Sequence, residues 1–234
     1  LLSKSNLIIV NSQEFKRNFV DFFNLKATKI YNPIFKESNF EYKKQKHADS
    51  FFKKNTINLI NIGRLVKQKN QIELINALSK INNPDKFRLI ILGKGPEKEN
   101  LLKVIKKNKL NQFVKITDKQ EKKLFFLKKS DIFILSSLFE GLPNVLLEAA
   151  INKKYIISSN CPTGPKEILK FYKYGELYKT KTTDQLVNIL NKFSNNKKLL
   201  IRLNKNIDLK NVMFDYKHNL SLYYSNILKL SSSL

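Results

Sequence analysis

Tryptophan is absent from the 234 residues, and cysteine and methionine occur once each. Because Cys161 stands alone, the chain forms no internal disulfide bond, which fits a reducing, cytoplasmic location. No uninterrupted apolar run approaches the ~18 residues that a membrane-spanning helix needs. The opening LLSKSNLIIVNS is too polar and too short for a signal peptide, and it starts with Leu1 rather than Met. We therefore expect the chain to begin inside a longer, cytoplasmic protein.

Acidic residues are scarce as well, with 19 Asp and Glu against 44 Lys and Arg, and the formal net charge is +25. Such a charge suggests nucleic acid as a partner. However, arginine, which recognises phosphate and guanine bidentately, occurs only at Arg17, Arg64, Arg88 and Arg202. The lysines are spread over the whole length. This distribution favours a solvated surface over a nucleic-acid site, with attraction to an anionic membrane as a second interpretation.

Short apolar segments alternate with segments of helical periodicity, and the hydrophobic fraction of 42% indicates a folded chain. Strands are predicted at residues 7–10, 28–31, 57–63, 87–93, 113–117, 131–137, 154–159 and 176–179. Helices are predicted at residues 12–23, 70–81, 97–108 and 121–129, after Pro143, after Pro165 and throughout the C-terminal tail. This alternation implies an α/β fold, with a Rossmann-like parallel sheet covered by helices on both faces.

Ligands of such sheets bind outside the carboxyl ends of the strands, so the loops that follow the strands are candidate sites. In NIGRLVKQKN, Gly63 would let the backbone approach a ligand closely, and Arg64 with Lys69 could clamp a phosphate. The alternative is a turn glycine flanked by exposed cations. In LGKGPEKENL, Gly93 and Gly95 match only half of the dinucleotide-binding pattern, which argues against an NAD-dependent oxidoreductase.

The segment FEGLPNVLLEA contains Glu140 before a Gly-Leu-Pro turn and Glu148 inside the helix that follows. Pro143 suits the first turn of that helix, whose free backbone N–H groups around Leu142 and Asn144 would attract a diphosphate. Ionised carboxylates accept hydrogen bonds from hydroxyl pairs. A nucleotide sugar has this layout, with hydroxyls on both sides of a diphosphate. The alternative is that Glu140 only favours the helix start electrostatically and that Glu148 is solvated.

The loop motifs occur together in an order and spacing that resemble the second domain of retaining GT-B glycosyltransferases of family 4. They are NIGRLVKQKNQIELINAL, RLIILGKGPEKENL, SDIFILSSLFEGLPNVLLEA and SSNCPTGPKEIL, and the resemblance covers roughly residues 58–178. The hallmark of the family is a pair of glutamates separated by seven residues, as Glu140 and Glu148 are. Residues 6–34 resemble the end of the family's first domain, and the helix near 212–230 resembles its final helix.

The resemblance implies a division of the chain into four parts. They are the end of the N-terminal, acceptor-binding domain (1–33), a linker (34–56), a nucleotide-sugar-binding Rossmann-like domain (57–205) and a helical tail packing back towards the N-terminal domain (206–234). Most of the N-terminal domain, with the acceptor site and the histidine that the family has near the donor sugar, would lie outside the chain. We therefore expect this chain alone to bind a donor weakly and not to transfer sugar.

By resemblance, Arg64 and Lys69 hold the donor diphosphate and stabilise the departing nucleotide, so that the reaction needs no metal or other cofactor. Glu140 would contact hydroxyls of the donor sugar, and Glu148 would bind the ribose hydroxyls. The remaining donor-binding positions are Gly63, Gly93, Gly141, Leu142, Pro143 and Asn144. The loop after FVKI contacts the base in the family, and here Asp118 stands where Gly is usual.

The loop CPTGPKE lies near the donor sugar in the family, and this version resembles enzymes that use UDP-hexoses or UDP-N-acetylhexosamines. Locally, Gly164 as a cap with Pro165 and Glu167 in the first turn makes a good helix start. The expected function is retaining transfer of such a sugar to a glycan or lipid-linked glycan acceptor in surface polysaccharide synthesis. An anionic inner membrane surface would suit a lipid-linked acceptor. The alternative is a non-catalytic basic module that binds nucleic acid or acidic lipid.

Overall fold

The computed structural model describes residues 2–33, 50–194, 196–205 and 215–231. Its N-terminal residues form two parallel strands joined by a helix, namely β1 (Ile9–Val10), α1 (Gln13–Phe23) and β2 (Thr28–Lys29). Ser12 caps the helix, because its Oγ accepts a hydrogen bond from the backbone N–H of Phe15. Val10, Phe19 and Ala27 form a small buried core between these elements. The predicted helix and strands of this segment are confirmed, although the strands are shorter.

A six-stranded parallel sheet forms the centre of the described residues. Its strands are β3 (Ile57–Ile62), β4 (Phe87–Leu92), β5 (Val114–Thr117), β6 (Ile132–Leu135), β7 (Tyr155–Ser159) and β8 (Gly175–Tyr178). They lie side by side in the order β5-β4-β3-β6-β7-β8, and every neighbouring pair is parallel. All residues of β3, β4, β6 and β7 are buried, because both faces of the sheet are covered.

Helices cover both faces of this sheet. They are α2 (Gln71–Lys80), α3 (Lys98–Lys107), α4 (Lys123–Lys129), α5 (Asn144–Ile151), α6 (Pro165–Tyr172), α7 (Thr183–Ser194) and α8 (Lys197–Lys205). A further helix, α9 (Tyr216–Ser231), follows them in the chain. Successive residues of a strand point to opposite faces. Accordingly, Leu59 packs in the core formed with α2, α3, α7 and α8, whereas Ile60 packs in the core formed with α4, α5 and α6. The predicted Rossmann-like α/β fold is confirmed.

One difference between an expected and an observed helix boundary bears on the site. Helix α5 begins at Asn144, so Pro143 is the extended residue before the helix, with φ −73° and ψ 99°, rather than part of its first turn. Proline fixes φ but leaves ψ free, so it is compatible with either position. Residues 34–49 of the predicted linker and residues 206–214 of the predicted helical tail lie outside the described residues. None of the described helices combines the length and the hydropathy that a membrane crossing requires.

Candidate functional site

The order of the strands creates a change of direction in the middle of the sheet. From β3 the chain continues outwards to β4 and β5, then returns to β6 on the other side of β3 and continues to β7 and β8. Ligands of open parallel sheets bind in the crevice at such a switch point. The loops after β3 and β6, residues 63–70 and 136–143, flank this crevice and contain most of the residues proposed from the sequence.

An ion pair joins these two loops. Lys69 Nζ lies 2.6 Å from Glu140 Oε1, and the two side chains are only 16% and 8% exposed. Ser137 Oγ donates a second hydrogen bond, also of 2.6 Å, to the same carboxylate oxygen. An ammonium group carries three N–H donors and a carboxylate has two oxygens, so donor and acceptor capacity remains on both partners. The structure thus brings together two of the three proposed catalytic residues, and it adds Ser137, which sequence analysis missed.

Hydrogen bonds outside the ion pair fix the two loops against each other. The Leu138 N–H donates to the Gln68 carbonyl oxygen over 2.8 Å. In return, Gln68 Nε2 donates to the Phe139 carbonyl oxygen, and Ser136 Oγ donates to the Lys69 carbonyl oxygen, each over 2.8 Å. The distance between Lys69 and the loop of Glu140 is therefore also set by these three hydrogen bonds and does not depend on the ion pair alone.

The loop after β7 holds Glu140 from the other side. The Glu140 N–H donates to the Pro162 carbonyl oxygen over 3.2 Å, and Thr163 Oγ1 donates a short hydrogen bond to the Glu140 carbonyl oxygen. Gly164 has a φ of +93°, and a Cβ at this position would overlap the Gly141 carbonyl oxygen. Only glycine combines this conformation with so close an approach. The loops after β3, β6 and β7 consequently form one packed unit around Glu140.

Glu148 and Arg64 have different surroundings. Glu148, on α5, forms an ion pair with Lys123 of α4, whose Nζ lies 3.1 Å from Oε1 and 3.0 Å from Oε2. Each of the two side chains is about one third exposed, at 33% for Lys123 and 30% for Glu148. Sequence analysis missed Lys123, because a pair 25 positions apart leaves no local signal. Arg64 is exposed, and among the described residues its guanidinium group has no ion-pair partner.

The surroundings of the glycines differ, so that only some of these positions require glycine for steric reasons. The Gly93 N–H donates to the Thr117 carbonyl oxygen over 2.8 Å, and a Cβ on Gly93 would overlap the Gly63 carbonyl oxygen. The close approach of two backbone segments therefore accounts for Gly93. By contrast, a Cβ on Gly141 would meet no atom within 4 Å, so that this exposed turn borders open space.

The N-terminal segment reaches the same turn. Asn32 Nδ2 donates to Asn144 Oδ1 over 2.6 Å, and the two residues before Asn144, Leu142 and Pro143, are buried. A cavity of about 390 Å³ opens between the segment and the turn. It is lined by Ile9, Val10, Asn11, Phe15, Asn32, Gly141 and Tyr223. The proposed donor loop thus borders a cavity whose other walls come from residues 9–32 and from α9.

The thiol of Cys161 is buried beside this unit. Burial is the main reason that its pKa is raised to about 11, so that the thiol is protonated at neutral pH. This protonation fits a packing role better than a nucleophilic one.

Within the described ranges, no three His, Cys, Asp or Glu side chains lie close enough together to hold a metal ion.

Comparison with known proteins identifies the family of the chain. The family model described as Glycosyl transferases group 1 matches residues 42–209. An uncharacterized glycosyltransferase of Methanocaldococcus jannaschii is 36% identical over 171 residues, covering 70% of this chain and 42% of the relative. The N-acetylgalactosamine-N,N'-diacetylbacillosaminyl-diphospho-undecaprenol 4-alpha-N-acetylgalactosaminyltransferase of Campylobacter jejuni is 28% identical over 180 residues, covering 76% of this chain and 47% of the relative. The chain spans less than half the length of these two relatives.

A solved structure agrees with the family match. The crystal structure of HepE from Anabaena in complex with UDP and glucose matches with a TM-score of 0.78 at 21% identity, covering 98% of this chain and 64% of HepE. A likeness at this identity concerns the fold alone. The family model matches more than half of the length of this chain, and the chain therefore belongs to the glycosyl transferases group 1 family.

Proposed function

We propose that the chain is the donor-binding half of a retaining GT-B glycosyltransferase of family 4. It would take a hexose or N-acetylhexosamine from a UDP-sugar for addition to a glycan or lipid-linked glycan in surface polysaccharide synthesis. The observation that carries this proposal is the Lys69–Glu140 pair at the switch point of the sheet, with Arg64 exposed in the same loop as Lys69. HepE was crystallised with UDP and glucose, and the Campylobacter relative is named for an undecaprenol-linked acceptor, which supports these substrate classes.

Each residue of the site has a role in this proposal. Arg64 and Lys69 would bind the donor diphosphate and stabilise negative charge on the departing nucleotide, assisted by the free N–H groups at the start of α5. Glu140 would accept hydrogen bonds from hydroxyls of the donor sugar, and Glu148 from those of the ribose. The open space beside Gly141 would hold the sugar.

The remaining parts of the chain would complete the enzyme. In this proposal residues 1–33 end the N-terminal domain, residues 34–56 are a linker, residues 57–205 form the donor domain and residues 206–234 pack back towards the N-terminal domain. The acceptor site would lie in the part of the N-terminal domain outside this chain. Transfer would then require the rest of the N-terminal domain. We propose a cytoplasmic location, with the basic surface facing an anionic membrane that carries the acceptor.

Calorimetric titration of this chain with UDP and UDP-sugars tests the donor site. We expect binding at millimolar concentration or tighter, and Arg64→Ala should raise the Kd of UDP at least ~10-fold, because a charge-assisted hydrogen bond contributes about 1.5–3 kcal/mol. Arg202→Ala, which removes an exposed arginine of α8, is the matched control and should leave the Kd unchanged. If wild type and Arg64→Ala bound UDP with equal affinity, Arg64 would not contact the diphosphate.

A different outcome of this titration would contradict the proposed function. If folded wild-type chain binds no nucleotide at millimolar concentration, the glycosyltransferase donor site is absent. Salt-sensitive binding of oligonucleotides that UDP-sugars do not displace would instead favour a basic binding module.

Metal removal tests the proposed electrostatic mechanism. In the enzyme with both domains, excess EDTA should leave sugar transfer unchanged, because cationic side chains would supply the charge that some glycosyltransferases obtain from a bound metal ion. The measurement is the initial rate with and without EDTA, followed by addition of Mg²⁺. A rate that falls with EDTA and recovers with Mg²⁺ would contradict the metal-independent mechanism.

A further inference from the structure

Glu167 lies in the first turn of α6, where a carboxylate ordinarily favours the start of its own helix. Here it also binds the N-terminal segment. The Gln13 N–H lies 3.0 Å from both carboxylate oxygens, and the Glu14 N–H donates to Oε2 over 3.3 Å. The Tyr31 hydroxyl donates a short hydrogen bond to Oε1. A side chain 154 positions away along the chain therefore caps the N-terminus of α1.

These contacts complete the cap of α1. The first N–H groups of a helix have no partner within the helix. Ser12 Oγ accepts from the Phe15 N–H, so the N–H groups of Gln13 and Glu14 still need an acceptor. Glu167 supplies it, and a carboxylate at this place also interacts favourably with the helix dipole. The short range of both interactions fixes the start of α1 relative to the start of α6.

The same end of α6 is connected to Glu140. The residues just before the helix, Pro162 and Thr163, are those that bind the Glu140 backbone from the loop after β7. On the other side of the turn, Asn32 binds Asn144. The N-terminal segment is thus connected to both ends of the turn of residues 140–144. The connection to Glu140 is indirect, through Glu167 and the start of α6, whereas Asn32 contacts Asn144 directly.

We propose that Glu167 is a positioning residue for the donor sugar: by binding the start of α1, it sets the place of the loop after β7 and thereby of the Glu140 carboxylate. The inference rests on the proposed function, in which Glu140 contacts the sugar whereas Arg64, Lys69 and Glu148 contact the nucleotide. A displaced Glu140 would weaken binding of the sugar moiety more than binding of UDP, because its ion-pair partner Lys69 lies in the loop after β3 and keeps its charge there. In the whole enzyme, Glu167 would couple the N-terminal domain to donor-sugar binding.

The test compares UDP with UDP-glucose and UDP-N-acetylgalactosamine as ligands of the 234-residue chain. For the tighter of the two UDP-sugars, Glu167→Ala should raise the Kd about 5- to 10-fold, in the usual range of coupling between sites, and change the Kd of UDP less than about 2-fold. Glu167→Gln should have a smaller effect, because its amide oxygen can still accept from the α1 N–H groups. Glu99→Ala removes an exposed carboxylate from the first turn of another helix, α3, and should change neither Kd.

Hydrogen exchange of the Gln13 and Glu14 amides gives a readout that needs no ligand. Exchange should become faster in Glu167→Ala and stay at the wild-type rate in Glu99→Ala. Tyr31→Phe, which removes one hydrogen bond to Glu167, should show the same selective loss of UDP-sugar affinity to a lesser degree, and it replaces Glu167→Ala if that variant does not fold.

Three results would overturn the positioning role. Unchanged amide exchange in Glu167→Ala would mean that the contact does not exist in solution. An equal loss of UDP and UDP-sugar affinity, or no loss of either, would leave Glu167 with a purely structural role while the proposed function stands. Failure of the wild-type chain to bind UDP or UDP-sugar would overturn the proposed function, and the positioning role with it.

Discussion

Replacing Lys69 by methionine should lower the kcat of sugar transfer about 100-fold or more, the range measured when one preorganised donor of a charge-stabilising site is removed. The substitution removes a cation from the proposed diphosphate site and keeps most of the side-chain volume. It also leaves Glu140, whose side chain is 8% exposed, as a buried carboxylate without its cation. The measurement is kcat and donor KM in the enzyme with both domains.

Lys67→Met provides the matched control. Lys67 lies in the same short helical turn as Lys69 but is exposed, and we expect wild-type kinetics from its substitution. The double variant Lys69→Met/Glu140→Gln then separates two roles. If Lys69 acts only by holding Glu140, the double variant should match Glu140→Gln, whereas direct contact with the diphosphate makes it slower. Wild-type kcat in Lys69→Met would contradict both roles.

The Lys69–Glu140 pair illustrates which part of the site the sequence predicts. Alternating apolar strands and helices indicate a parallel sheet, and a parallel sheet has its candidate site at the carboxyl ends of its strands. The sequence therefore predicts that Lys69 and Glu140 lie in loops at this edge of the sheet, and the structure has both residues there. Their pairing depends on β3 lying beside β6, and the strand order is not encoded in either segment. Because 71 positions separate the two residues, no local pattern predicts their contact.

Local sequence patterns predict the place of a residue in its own helix, but they do not predict its contacts with residues that are distant in the sequence. At the start of α6, Glu167 fits the helix-start pattern, and the structure confirms Gly164 as the cap and Pro165 in the first turn. Nothing in that pattern predicts that the carboxylate binds the N–H groups of Gln13 and Glu14, because these donors come from another helix. Long-range hydrogen bonds of this kind are the part of the site that needs the structure.

Replacing Gly93 by alanine should lower the free energy of unfolding by about 3 kcal/mol or more, at the upper end of overpacking effects. The added Cβ would overlap the Gly63 carbonyl oxygen and lie 3.5 Å from the Leu65 side chain. The Gly63 backbone is not free to move away, because its N–H is bonded to the Leu92 carbonyl oxygen over 3.0 Å. In thermal unfolding, the Tm should fall by roughly 6–12 °C for a chain of this size.

Gly141→Ala is the control that separates two causes of this destabilisation: the replacement of any glycine by alanine, and the steric overlap of the new Cβ with neighbouring atoms. A Cβ at Gly141 would meet no atom within 4 Å, and its φ lies outside the left-handed region. We therefore expect a change in unfolding free energy within about 0.5 kcal/mol, as for other exposed positions. UDP titration of both variants completes the comparison. If Gly93→Ala unfolded at the wild-type temperature but lost UDP affinity, Gly93 would be a ligand contact, as the family resemblance implies. The close approach of Gly63 would then not be what requires glycine at this position.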